Sequence, residues 1–233
     1  MSQLTVVVPC FNEVETISEL LESVLEQSCV GQVVVVDDGS TDGSVERLKA
    51  LQHAKLEAVF FPKNKGKGAA IRQGFERAKL PYVIIQDADL EYSPTEYQRM
   101  LDVMINNYAD AVFGSRFMTA GPRRAIYYWH RVGNLLLTTL SNCLTNIYLT
   151  DMETCHKMIK LEFVKKLDLR ENRFGIEPEI TAKLGKLNAV ITPIGPSGCH
   201  CSAKRCNGRS LAIVSPCSWR LSPTAKSQIS ITS

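Results

Sequence analysis

The sequence predicts an α/β domain with a mostly parallel sheet and helices on both faces. Strand and helix signals alternate through the first 115 residues, as they do when each parallel strand needs a crossover helix. A second sign is Tyr82-Val83-Ile84-Ile85, which is continuously apolar, as strands buried on both faces are. The third is that polar residues gather where the strand signals end, the edge at which such sheets bind ligands.

The strand signals fall at residues 4–8, 32–36, 56–61, 82–86 and 109–113. Between the first two, Val14, Ile17, Leu20, Leu21, Val24 and Leu25 keep helical spacing, and Asn12 with Glu15 predicts a capping box ahead of them. Further helices are expected over 44–51, 69–78 and 95–106.

The strand ends carry the chemistry. The first runs into Pro9-Cys10-Phe11-Asn12-Glu13 and the second into Asp37-Asp38-Gly39-Ser40-Thr41-Asp42-Gly43. The fourth runs into Asp87-Ala88-Asp89-Leu90-Glu91 and the fifth into Gly114-Ser115-Arg116. Two carboxylates one residue apart at a strand end can share a hard divalent cation, and such a cation can clamp a diphosphate. Taken alone, Asp38-Gly39-Ser40 reads as a tight turn and the D-A-D run as solvated carboxylates; four polar ends on one edge read as a site. Lys65-Gly66-Lys67-Gly68 lacks the spacing of a P-loop and is read equally as a glycine turn or a phosphate contact, outside the predicted site.

Arg123, Arg124, Tyr127, Tyr128, Trp129, His130 and Arg131 precede a helical run bearing Leu135, Leu136, Leu137, Leu140, Leu144, Ile147 and Tyr148. A basic, aromatic entry to a Leu-rich helix suits a membrane interface, and it suits an ordinary core helix equally. The sequence leaves both open.

Composition bounds the partners. The chain has 233 residues, is 45% hydrophobic and 22% charged, and carries a net charge of +3, so a nucleic-acid partner is not expected. There is no secretory leader pattern and no apolar run of about 18 residues. Cys10, Cys29, Cys143 and Cys155 are spread singly, as reduced thiols are, and a cytoplasmic setting is expected. Residues 195–233 differ: five basic side chains, no acidic ones, nine serines and no sustained period. Cys199-His200-Cys201 with Cys206 lacks the C-x-x-C pairs of zinc sites. This segment is expected to be a disordered tail following a domain at 1–194, and an altered reading frame after about Ile194 would account for it.

Together, V-V-V-P-C-F-N-E, V-V-D-D-G-S-T-D-G-S, N-K-G-K-G-A-A-I-R-Q-G, Q-D-A-D-L-E-Y-S-P, F-G-S-R-F, T-D-M-E-T-C-H-K-M and R-F-G-I-E-P-E-I-T resemble the family 2 glycosyltransferases of GT-A fold. Among these the chain is similar to the polyprenyl-phosphate sugar transferases, over about residues 3–194. The resemblance implies a nucleotide-binding half near 1–116 and an acceptor half near 117–194. It implies that Pro9, Phe11, Glu13, Val36, Asp37, Asp38 and Ala88 line the nucleotide pocket. Asp87 and Asp89 would hold Mg²⁺ or Mn²⁺, with Glu91 as a further oxygen ligand where relatives often carry Gln. Arg116 would neutralise a phosphate, and Asp151 would open the acceptor segment as an orienting group or weak base; Asp89, Asp151 and Arg116 are the catalytic set.

The implied reaction is an inverting transfer of a hexose from UDP-glucose or GDP-mannose to a polyprenyl phosphate. It would take place at the cytoplasmic face of a membrane, with a peripheral membrane surface and a membrane-anchoring subunit as partners. The alternatives are a catalytically silent nucleotide-sugar-binding remnant and a nucleotidyltransferase.

Overall fold

The computed structural model describes residues 3–118 and 128–195, excluding the side chain of His130. Residues 196–233, which make up the expected tail beyond Gly195, lie outside these, as do Arg123, Arg124 and Tyr127.

Seven strands form one sheet: β1 (Leu4–Cys10), β2 (Val30–Asp37), β3 (Leu56–Phe60), β4 (Tyr82–Ile85), β5 (Ala111–Gly114), β6 (Lys157–Lys160) and β7 (Ile191–Ile194). Their order is β3-β2-β1-β4-β6-β5-β7. β6 runs antiparallel to both β4 and β5, and every other pairing is parallel. The sheet is therefore mostly parallel, as expected. The sequence reading had not placed β6 or β7, which are four residues each and outside the regular alternation.

Period-2 side chains divide the core. Leu4, Val6 and Val8 of β1 face α1 (Ile17–Leu25), α2 (Ser44–Ala50) and α4 (Tyr97–Asn106). Val7, Val83 and Ile85 face the opposite layer, with α3 (Lys67–Arg77) and α7 (Ile176–Lys186). Ile17, Leu20, Leu21 and Val24 of α1 are fully buried, and each such side chain contributes about 2 kcal/mol by leaving water.

The predicted capping box does not form. α1 starts after Thr16, with no side-chain cap, and Glu15 is exposed. Asn12 is drawn away instead: it takes φ 56°, and its Oδ1 accepts from Thr41 N across the crevice. The expected helix over 95–106 opens as a 3₁₀ turn at Pro94–Glu96, capped by Ser93, and becomes α4 at Tyr97.

α5 (Tyr128–Thr145) is inside out. Its polar residues face the body: Thr138 Oγ1 accepts from Met152 N, and Asn142 exchanges two hydrogen bonds with the Leu149 backbone. Leu135, Leu136, Leu140 and Leu144 are exposed. Of the two readings left open for this helix, the core helix is set aside. α6 (Leu161–Val164) completes the chain's helices among the described residues.

Connections run outward from β1 to β2 and β3 on one side and to β4 on the other. The order reverses between β1 and β4, and the carboxyl ends of those strands meet at that switch point.

Candidate active site

The loops after β1 and β2 are laced together. Asn12 N donates to Ser40 Oγ, Glu13 N to Ser44 Oγ and Val14 N to Asp42 Oδ2, each at 2.9 Å. This ties the segment after β1, with Phe11 and Glu13, to the loop after β2. Phe11 is half exposed there, and the Glu13 carboxylate accepts from Thr16 Oγ1 at 2.7 Å.

Asp37 and Asp38 have separate tasks. Asp37 Oδ1 accepts from Gly39 N and Ser40 N, while its Oδ2 is buried without a hydrogen-bond partner among the described residues. A buried acceptor left without a donor is uncommon in a folded protein. Asp38 is spent internally: its oxygens accept from Lys65 N at 2.7 Å and Gly66 N at 2.8 Å, fixing the glycine turn. Val36 packs with Val34 and Ala70, so its side chain belongs to the core rather than to a pocket wall. Ala88 is likewise buried in the α1–α4 layer.

The D-A-D loop leaves β4 through Gln86, which is fully buried. Its amide donates to Asp87 O and Tyr92 O, and its Oε1 accepts from Tyr97 OH at 2.8 Å. Asp89 Oδ1 accepts from Glu91 N at 3.0 Å. Burial and then the nearby Asp89 push the Glu91 carboxyl up, with Asp87 and Asp151 adding to it and Arg116 opposing it.

Arg116 forks onto Asp151, Nε to Oδ2 at 2.8 Å and Nη2 to Oδ1 at 2.9 Å; Arg116 N also donates to Oδ2 and Asn134 Nδ2 to Oδ1. Asp151 is 2% exposed and saturated with donors, and it aims Arg116 so that Nη1 lies 4.0 Å from Glu91 Oε1. The structure thus brings Asp87, Asp89, Glu91, Arg116 and Asp151 into one cluster.

Three site residues were not assigned from sequence. Lys67 Nζ lies 2.7 Å from Asp87 Oδ1, 3.2 Å from Glu177 Oε1 and 2.9 Å from Cys155 Sγ. Burial works against the Lys67 charge, yet the Asp87 and Glu177 carboxylates hold it above the ordinary lysine value. Burial keeps the Cys155 thiol protonated. The motifs containing all three residues were visible, but only the fold shows that they converge.

The glycosyl transferase family 2 model matches residues 5–168. The chain is a family 2 glycosyltransferase. Membership decides against the nucleotidyltransferase alternative, whose phosphate loop the P-C-F-N-E strand end also lacks. This family 2 chain is 30% identical to the glycosyltransferase AglJ of Haloferax volcanii, over 81% of itself and 60% of that protein. It is 26% identical to the UDP-N-acetylglucosamine–dolichyl-phosphate N-acetylglucosaminyltransferase of Methanococcus voltae, over 81% and 83%. An undecaprenyl-phosphate 4-deoxy-4-formamido-L-arabinose transferase of Aeromonas hydrophila is 38% identical over 45% of this chain and 34% of its own. Glucosyl-3-phosphoglycerate synthase of Mycobacterium tuberculosis shares the fold, with TM-score 0.65 and 19% identity over 84% of this chain and 70% of that one. A structure of that synthase contains Mn²⁺, UDP and phosphoglyceric acid.

The donor chemistry of this glycosyltransferase fits a hard cation. Asp87, Asp89 and Glu91 offer only oxygen, and after burial the neighbouring Asp89 is the next cause that pushes the Glu91 carboxyl up. No group of three ligating side chains converges among the described residues. One or two carboxylates suffice for Mg²⁺ when phosphates and water complete the shell.

Proposed function

We propose that this chain transfers a hexose from a nucleotide sugar to a polyprenyl phosphate by a single inverting displacement. UDP-glucose and GDP-mannose are the leading donors. Asp87 and Asp89 would hold Mg²⁺ or Mn²⁺, with Glu91 beside them. The ion, when bound, supplies Lewis-acid stabilisation of the departing nucleoside diphosphate. Pro9, Phe11, Glu13 and Asp37 would hold the nucleoside, with Asp37 Oδ2 accepting from the base or ribose. Arg116 contributes the guanidinium fork suited to phosphate.

The observation that carries the acceptor is the saturation of Asp151. A sugar hydroxyl needs a free base, whereas a phosphate monoester, with a second pKa near 6, is already largely anionic at neutral pH and needs positioning. A carboxylate already accepting from Arg116 and Asn134 can orient but is poorly placed to take a proton. The activities named for the dolichyl-phosphate and undecaprenyl-phosphate relatives agree with this. The outward leucines of α5 support action at a membrane surface, with the acceptor half of the chain, near 117–194, turned to it.

The test measures Mn²⁺-dependent UDP and GDP binding, then transfer to polyprenyl phosphate. Asp89→Asn should abolish the metal-dependent part of nucleotide binding with the melting temperature held. Binding undiminished in that variant refutes the donor site; better transfer to a soluble sugar refutes the acceptor. Nucleotide binding with no transfer to any acceptor leaves the silent remnant.

A further inference from the structure

We propose that Lys67 is a built-in counter-ion for Asp87 that a divalent cation displaces, and that Glu177 receives its ammonium when this happens. The inference rests on the metal role given above to Asp87 and Asp89.

The geometry has three parts. First, Lys67 Nζ reaches Asp87 Oδ1 at 2.7 Å, on the carboxylate that would share the cation. An ammonium and a divalent ion cannot both sit against one oxygen without strong repulsion. Second, Glu177, in the first turn of α7, already touches the ammonium through Oε1 at 3.2 Å. Its other oxygen, Oε2, is buried with no hydrogen-bond partner among the described residues, and the residue is 5% exposed. A small swing of the flexible four-carbon stem brings Nζ fully onto that carboxylate. Third, the cluster is largely shielded from water, with side chains 17%, 18% and 7% exposed for Lys67, Asp87 and Glu177. An ammonium leaving Asp87 there needs a second carboxylate, because an unpaired buried charge is strongly unfavourable. Glu177 is that carboxylate. Cation arrival at the end of β4 therefore shifts positive charge toward α7.

The experiment is Mn²⁺ binding to the full chain without nucleotide, read by electron paramagnetic resonance. Lys67→Met should bind Mn²⁺ about tenfold more tightly than wild type. Glu177→Gln, isosteric but uncharged, should bind several-fold more weakly. In the double variant the Glu177→Gln effect should nearly vanish, because Glu177 acts through Lys67. Circular dichroism checks folding, and Lys67→Gln replaces Lys67→Met if the latter does not fold. Unchanged or weaker Mn²⁺ binding in the Lys67 variants overturns the proposal, as do additive effects, which would make Glu177 only a remote charge. Asp89→Asn separates the layers. Wild-type binding that does not depend on Asp89 removes the metal reading and this inference together. Asp89-dependent binding that is indifferent to Lys67 removes this inference alone.

Discussion

Arg116 and Asp151 are joined by a two-pronged pair, Nε–Oδ2 at 2.8 Å and Nη2–Oδ1 at 2.9 Å, in which the carboxylate is fully buried and the guanidinium partly exposed. The pair links the end of β5 to the segment before β6, two strands that are neighbours in the sheet but far apart in sequence. It also holds the guanidinium 4.0 Å from Glu91 Oε1.

Asp151→Asn should therefore cost about 2–3 kcal/mol of stability in urea unfolding, since charge-assisted bonds at a buried carboxylate are lost and Arg116 loses its partner. Arg116→Lys should move in the same direction, because an ammonium keeps the charge without the fork. Unfolding free energies within about 0.5 kcal/mol of wild type would show that the pair does not brace this junction.

His156 predicts an acid-sensitive limb. It is buried, stacked on Tyr92 at 5.0 Å, and its Nε2 has no hydrogen-bond partner among the described residues. Burial depresses its pKa from 6.5 to about 4, with Glu96 and Asp87 opposing. The folded state thus refuses a proton that the unfolded state accepts below pH 6.5. This stabilising contribution is complete above pH 6.5 and is lost as pH falls toward about 4, up to roughly 3 kcal/mol. His156→Phe, which keeps a stacking ring, should flatten stability between those pH values; an unchanged acid limb would place its origin elsewhere.

The β-α alternation and the polar strand ends were legible because they rest on local periodicity and turn chemistry. Asp87, Asp89 and Arg116 could be placed near strand ends for the same reason: each lies within four residues of one. Asn12 misled, since the residue that resembles a helix cap is recruited across the crevice by Thr41, a partner that local spacing does not reveal. Val36 and Asp38 were given to the nucleotide pocket by motif, but the structure uses Val36 in the core and Asp38 to hold the Lys65–Gly66 backbone. Lys67, Cys155 and Glu177 meet only when α3, the segment before β6 and α7 are brought together. β6 was missed because an antiparallel insertion interrupts the alternation that gave the other strands away.

Gly39 should tolerate no side chain. It has φ +76°, and an added Cβ would lie 2.7 Å from Lys63 C and 2.8 Å from Asn64 N, both backbone atoms. Gly39→Ala combines backbone strain with a clash that no rotamer relieves, for a loss of about 2–3 kcal/mol. Because Gly39 N donates to Asp37 Oδ1, nucleotide affinity should fall as well. A melting temperature within 2 °C of wild type, about what 0.5–1 kcal/mol would produce, would contradict this.

The leucines of α5 separate stability from membrane contact. Leu136, Leu140 and Leu144 are 70%, 55% and 78% exposed, so they contribute little to the fold, whereas Thr138 is 2% exposed and hydrogen-bonded into the body. No helix among the described residues is long and apolar enough to cross a membrane, so contact by this helix would be along its face. Burying a leucine side chain in hydrocarbon is worth about 1.5–3 kcal/mol, roughly tenfold or more in partitioning for each residue. Leu136→Gln, Leu140→Gln and Leu144→Gln together should leave the melting temperature within about 2 °C and cut binding to anionic vesicles by at least a hundredfold. Nucleotide affinity should not change, because the residues proposed to hold the nucleotide lie after β1, β2, β4 and β5 and not on α5. Thr138→Val should do the reverse, lowering stability by about 1 kcal/mol through loss of the Met152 contact while vesicle binding stays as it was. If the triple variant unfolds early yet still binds vesicles, the outward face of α5 is a structural surface and the membrane contact lies elsewhere.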